Sequence, residues 1–269
     1  MSFQTFFGSD AQQTLLRKGA SAYQLFRDKP GYTYYGRTVG ITCLQDVPFE
    51  NVIALARLQG NSTCGRLTKE EAETVIPAAE AAGLTANTFA LWSSTPNCLA
   101  NAQQILASRH LPDDLVLEWL TPDTPNNKRQ SLADLTLAVG VLPPDMSVLT
   151  GETKPGVCAM VSDAHGNVVS CAAAAEYTNT DVDGKKAPAW WGMLATRNDQ
   201  RGRGLSLYLG ATVMIEMANR YGHTEFFTGV TPGNAPSEAV CKRMALVDEG
   251  ALILAAVDAS VLPGGRLTK

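Results

Sequence analysis

Histidine and paired cysteine are what this chain most plainly lacks: its 269 residues include three histidines and six cysteines, with no C-x-x-C pair. Cys43, Cys64, Cys98, Cys158, Cys171 and Cys241 are therefore read as reduced, mostly buried thiols, and neither a metal site nor a disulfide framework is expected. Charge of one sign is scarce too. A formal net charge of -4 gives no global pull toward nucleic acid or an anionic membrane, so any anion must be held locally. No run of about 18 apolar residues is available to span a bilayer. The opening "MSFQTFFGSDAQQTLLRKG" lacks the basic start, apolar block and small-residue cleavage site of a secretion signal. A cytoplasmic protein without nucleic-acid or membrane partners is the expectation.

What is present suits a folded chain of mixed α and β structure: 45% of residues are apolar and 18% charged, outside the disordered range. "AQQTLLRKGASAYQLFR" carries a helical pattern, and "GRTVGITCL" after a turn reads as a strand. "TKEEAETVIPAAEAAG" opens with acids and closes on glycine, as a helix does. A strand, "NTFALWSS", and a helix, "ANAQQILASRHL", follow. Around "LPDDLVLEWLTPDTPNNKRQ" a strand runs into a segment rich in Pro, Asn and Asp, which places a domain boundary near residue 112 and divides the chain into 1–112 and 113–269. Beyond it "VCAMV" and "NVVSCAAAAE", joined by "SDAHG", predict an antiparallel hairpin, and "AWWGMLAT" predicts a strand. From Leu205 the residues Leu207, Ala211, Met214 and Ala218 share a helical face that stops at Gly222. "EFFTGVT", "APSEAVCKRMA" and "ALILAAV" read as strand, helix and strand.

The stretch "DQRGRGLSLYLG" sets two arginines and two glycines at the start of that helix, directly after a strand. Such a turn traps anions, because the first helical N–H groups lack internal partners and the helix dipole points its positive end at the ligand. Two familiar phosphate motifs do not fit. "GRGLSL" has Leu207 where the dinucleotide fingerprint needs its third glycine, and "GETKPGVC" has Val157 and Cys158 where a P-loop needs Lys and Ser or Thr. Without a fitting motif the turn also reads as a solvated basic loop.

A third pattern matches. "TRNDQRGRGLS" resembles the acyl-CoA-binding turn of the GNAT superfamily of N-acetyltransferases, R/Q-x-x-G-x-G/A after the fourth strand, with Arg201 and Gly204 in register and Ser206 where Gly or Ala is usual. "EFFTGVTPGNAPSEAVCKRMAL" is similar to the family's fifth strand and fourth helix, including Asn234 and Ser237. The resemblance covers roughly residues 113–269. It implies the acyl-CoA N-acyltransferase fold: a mixed, mostly antiparallel central sheet flanked by helices. It also implies acetyl-CoA (coenzyme A), held by Met193, Leu194, Ala195, Thr196, Arg201, Gly202, Arg203, Gly204, Leu205, Ser206, Asn234 and Ser237. The implied activity is direct transfer of an acetyl group to a primary amine, a small molecule or a peptide N-terminus, within a ternary complex. The strand "GMLAT" would splay from its neighbour, and an N–H near Met193 or Leu194 would polarise the thioester carbonyl.

Departures fall on the catalytic positions. Cys241 stands where many members carry a tyrosine that protonates the departing thiolate, and Ala245-Leu246 replaces the usual Gly-Phe. Cys241 is thus the candidate acid or a structural cysteine. No carboxylate lies in "APAWWGMLAT", which leaves Glu176 as the candidate base, with a water chain as its alternative. Asp181, Asp183 and Trp190 are candidate substrate contacts, the aspartates leaning toward a cationic acceptor.

A segment of the first half parallels one of the second, which reads as a duplication or as a chance likeness of two amphipathic segments. "ETVIPAAEAAGLTANTFALWSSTPNCLANAQQIL" parallels "ATVMIEMANRYGHTEFFTGVTPGNAPSEAVCKRM", pairing Thr74 with Thr212, Gly83 with Gly222 and Asn97 with Asn234. The expectation is a tandem arrangement whose N-terminal half, lacking R-x-x-G-x-G, is a worn copy that binds no CoA. A non-catalytic acyl-CoA sensor and a plain interaction domain are the rival readings, and a homodimer is an open possibility for assembly.

Overall fold

The computed structural model describes residues 3–178 and 186–262. The first half contributes α1 (Asp10–Phe26), β1 (Tyr32–Thr33), β2 (Gly40–Cys43), α2 (Glu50–Gln59), β3 (Asn61–Leu67), α3 (Lys69–Ala81), β4 (Thr85–Ser94) and α4 (Cys98–Ser108). The second contributes β5 (Val116–Trp119), α5 (Asn126–Ala138), α6 (Met146–Leu149), β6 (Gly156–Ser162), β7 (Val168–Ala175), β8 (Ala189–Thr196), α7 (Leu205–Tyr221), β9 (Phe226–Val230), α8 (Ala235–Arg243) and β10 (Leu246–Val257).

Local chemistry sets several boundaries. Ser9 with Gln12, and Thr68 with Glu71, form capping boxes that start α1 and α3 by satisfying otherwise orphaned N–H groups. Helix α7 ends where Gly222 takes a left-handed conformation and returns its N–H to the Ala218 carbonyl. Midway along α7, Gly210 lets the helix approach β8 closely: a Cβ there would lie 2.7 Å from the Trp191 ring, and the Trp191 indole N–H donates to the Gly210 carbonyl at 3.1 Å.

All ten strands join one sheet in the order β1-β2-β3-β10-β4-β9-β8-β7-β6-β5. Pairing is antiparallel except between β2 and β3 and between β8 and β9. The sheet is covered on both faces at β7, where every residue is buried. Its alternating side chains divide accordingly: Cys171, Ala173 and Ala175 pack with residues of α5 and α6, and Ala172 and Ala174 with residues of α7.

The repeat seen in the sequence is a repeat of structure. The succession β3, α3, β4, α4 recurs as β8, α7, β9, α8. Gly83 and Gly222 both take positive φ, +72° and +76°, and Asn97 and Asn234 both stand at the N-cap of the next helix. The two halves differ in one respect that governs everything below. Between β3 and β4 lies β10, paired antiparallel with both from Leu252 to Val257, whereas the corresponding β8 and β9 pair directly with each other. The last strand of the second half thus completes the sheet of the first, across the boundary expected near residue 112.

This exchange makes a testable demand. Leu254 on β10 is fully buried in the core formed by Ile41, Val52, Leu67 and Val75 of the first half. Leu254→Ala is expected to cost about 3 kcal/mol and to speed amide exchange in β3 and β4. Faster exchange confined to residues after 113 would contradict the shared core.

Candidate functional site

The site begins where two parallel strands stop pairing. β8 and β9 are joined in register at Ala189 with Phe226 and at Trp190 with Phe227, and the ladder ends there. On its other edge β8 carries a bulge: Cys171 pairs with Ala195 and Ala173 with Gly192, so Met193 and Leu194 stand opposite the single residue Ala172. Met193 adopts φ +53°, a left-handed conformation costly for a residue with a Cβ. The Cys171 thiol donates to the Met193 carbonyl at 3.3 Å. Burial pushes that thiol up to about 12, so it stays a donor. The bulge bends β8 away and leaves its edge from Gly192 to Thr196 unpaired on the β9 side, at the residues the sequence assigned to polarising a carbonyl.

Past that edge lies the glycine turn. Gly202 and Gly204 have φ +80° and +76°, and Gly204 is the N-cap of α7 without any side-chain cap, so the first amides of α7 are free to bind a ligand. Ser206 is fixed through its hydroxyl to Thr196 at 2.9 Å, and Thr196 to Ser170 at 2.8 Å, which holds the helix start against β8. Leu205 is buried in the core, so its part in binding reduces to its amide.

The arginines play different parts. Arg203 is held by Asp114 at 2.5 and 3.0 Å and by Gln200 at 2.5 Å. Arg201 is exposed and, among the described residues, has no acidic partner. A third cation stands here that no motif marks. Arg109, just past α4, reaches over the helix start, its Nη1 lying 2.8 Å from where a Gly204 Cβ would be. Together with His110, Arg203 and Tyr208 it lines a small cleft. A cation at the positive end of a helix dipole is electrostatically unfavourable alone and favourable once an anion sits between. These residues fit a phosphate-bearing group.

On the opposite face of the sheet the fork opens into a cavity. Trp190 and Phe227, the last pair before the strands part, line it, together with Tyr35, Tyr177, Arg37 and Asn61. Its floor is the face of β3, β10, β4, β9 and β8, and its roof is the segment from Tyr35 to Thr38. That segment is anchored to the second half: the Asp145 amide donates to the Gly36 carbonyl at 2.6 Å, and the Arg37 guanidinium to the Leu142 carbonyl. Trp190, expected as a substrate contact, thus lines this cavity.

Other expected residues have different duties. Glu176 is nearly buried between Lys154 at 3.7 Å, His223 at 3.7 Å and Lys186 at 3.9 Å. Burial alone would raise its carboxyl, but the His223 hydrogen bond and the neighbouring lysines outweigh it, and the net shift is downward. A carboxylate so stabilised is a poor base, and it pins the end of β7 instead. His223, just past α7, is buried, its ring facing the Ala187 carbonyl at 3.1 Å. Cys241 is packed in the core beneath α8 with its thiol pushed up to about 12 by burial, out of reach of the cavity lining. Asn234 caps α8, accepting the Ser237 N–H at 3.4 Å, so its side chain is committed to the helix. Asp181 and Asp183 lie outside the described residues.

No family model matches the chain, and no curated protein matches it. Solved structures do. A GCN5-related N-acetyltransferase from Kribbella flavida is 16% identical at TM-score 0.51, covering 89% of this chain and 81% of its own. A GCN5-related N-acetyltransferase-like protein from Streptococcus suis is 14% identical at TM-score 0.52, covering 90% of this chain and 99% of its own. A tandem GNAT protein from the clavulanic acid biosynthesis pathway is 14% identical at TM-score 0.50, covering 78% of this chain and 69% of its own. The fold is the acyl-CoA N-acyltransferase fold.

The pin at Glu176 has a measurable signature. Its folded carboxyl sits below the ordinary value of 4.5, so its stabilisation is full above that value and is lost as pH falls through the lower folded value. Glu176→Gln leaves Lys154 buried without its anion and is expected to cost about 3 kcal/mol at pH 7. In thermal melts the gap between variant and parent should close on acidification. Equal melting at pH 7 would return Glu176 to the list of candidate bases.

Proposed function

We propose that the chain is a GNAT-type N-acyltransferase that uses acetyl-CoA to acylate a primary amine of a small molecule or peptide. The observation that carries this reading is the fork itself: a bulged strand with free edge amides, leading at one end to an uncapped helix start ringed by cations and at the other to an aromatic cavity.

Acetyl-CoA, when bound, supplies an activated thioester carbonyl. The amides at the start of α7, with Arg201 and Arg109, would hold its pyrophosphate. The free edge of β8 from Gly192 to Thr196 offers backbone partners for an amide-bearing arm and an N–H for the carbonyl oxygen. Trp190 and Phe227 exclude water at the base of the fork. Holding the amine in the adjoining cavity removes much of the entropic cost of encounter. Among the described residues no carboxylate or imidazole lines that cavity, so the proton of the ammonium passes to water before transfer. In this reading residues 113–269 form the acyl-CoA unit, and residues 1–112 are the copy that gave up that role, because β10 fills the equivalent opening.

A second reading, a non-catalytic acyl-CoA sensor, draws on the burial of Cys241 and the pinning of Glu176, which remove the expected acid and base. Two measurements separate the readings. Acetyl-CoA at about 100 times its Kd should stabilise the chain by about 2.7 kcal/mol, read as a rise of several degrees in Tm. Arg201→Ala and Arg109→Ala should each weaken binding about tenfold. Steady thiol release with an amine panel supports the transferase, and tight binding without release supports the sensor. No thermal shift with acetyl-CoA would dismiss both.

A further inference from the structure

Arg37 is 93% buried by its 7% exposure, yet among the described residues it has no acidic partner. Its Nε and Nη2 donate to the Leu142 carbonyl at 2.9 and 2.6 Å, and its Nη1 to the Tyr35 hydroxyl at 3.2 Å. The guanidinium carbon stands 5.3 Å from the Tyr35 ring centroid and 5.5 Å from that of Trp190. These contacts engage three of the five N–H groups of an arginine. A buried cation with only neutral partners is expensive, and the two remaining N–H groups suit a carboxylate.

A second orphan lines the same cavity. Asn61 is 1% exposed and donates its amide to Thr38 Oγ1 at 2.8 Å, while its Oδ1 has no partner at all. That oxygen can only accept, so it calls for an N–H donor. The remaining walls set Phe89, Trp190, Phe227 and Ile253 beside Thr63 and Asn87, and among the described residues none that lines the cavity is acidic. A simple cationic amine would bring a second positive charge to Arg37. A fatty acid would leave Asn61 unpaired.

We infer that this cavity binds an α-amino acid with an apolar side chain, its carboxylate on Arg37, its nitrogen toward Asn61 and its side chain against the aromatic walls. The inference takes from the proposed acyltransfer only the role of the nitrogen as acceptor; recognition of the carboxylate stands without it. It also replaces the cationic acceptor toward which Asp181 and Asp183 leaned.

The experiment compares L-phenylalanine and L-leucine with phenethylamine and isoamylamine, which lack only the carboxylate. Binding to the full chain is measured by calorimetry without acetyl-CoA, and acetyl transfer by thiol release with it. The amino acids are expected to bind about 30-fold more tightly than their matched amines. Arg37→Lys should remove most of that preference. Should that variant fail to fold, Asn61→Asp decides: its added charge opposes the carboxylate and should shift preference toward the amines. Equal binding of acids and amines, or no binding of either amino acid, overturns the inference. Binding of amino acids without turnover upholds it and sinks the acyltransferase reading. Turnover of amines without any preference for amino acids does the reverse.

Discussion

The molecule is organised around a strand that cannot keep pace with its neighbour. At Met193 the chain of β8 takes an extra residue relative to β7, and the strand bends out of the ladder it shares with β9 after only two paired residues. A sheet interior rarely tolerates unpaired edges, because each buried amide or carbonyl without a partner is costly. The equivalent gap in the first half is closed by β10, whose residues from Leu252 to Val257 pair on both sides. The second half receives no such strand. One opening is therefore filled by the chain, and the other stays open between β8 and β9 beyond Trp190 and Phe227.

This asymmetry gives the two halves different work. The second half supplies the bulged strand, the glycine turn and the uncapped helix. The first half supplies the surroundings: Arg109 over the helix start, Asn61 and much of the floor of the cavity, and the roof segment carrying Tyr35 and Arg37. Helix α4 joins the two, its Cys98 thiol 3.6 Å from Met214 of α7 and its Asn101 bonded to the Arg243 carbonyl of α8. In the proposed reading, the first half walls the cavity beside the anion-binding unit of the second.

Much of this was legible in the sequence wherever the signal is local. The order of helices and strands followed from apolar periodicity, and the glycine turn announced its left-handed backbone through Gly202 and Gly204. Gly83 and Gly222 both meet the need for positive φ past a helix end, and Asn234 caps α8 through its side chain, whereas Asn97 makes no such bond. What the sequence concealed depends on contacts between distant positions. That "ALILAAV" would cross into the first half is set by partners about 185 to 196 residues away, as in Leu254 with Cys64 and Val257 with Asn61. Arg37, Asn61 and Arg109 carry no motif, and only the folded sheet brings them to the fork. Glu176 misled in the opposite way. Its place at a strand end suited a base, but Lys154 and His223, which pin it, are remote in sequence.

The central claim is that the gap between β8 and β9, and not its filled counterpart, takes the acyl-CoA. Hydrogen exchange with and without acetyl-CoA tests it most directly. The account requires new protection in residues 192–196 and 201–208, with one ligand bound per chain, and little change in residues 61–67 and 85–94. Unaltered exchange at the fork, or protection appearing along β3 and β4 instead, would contradict it.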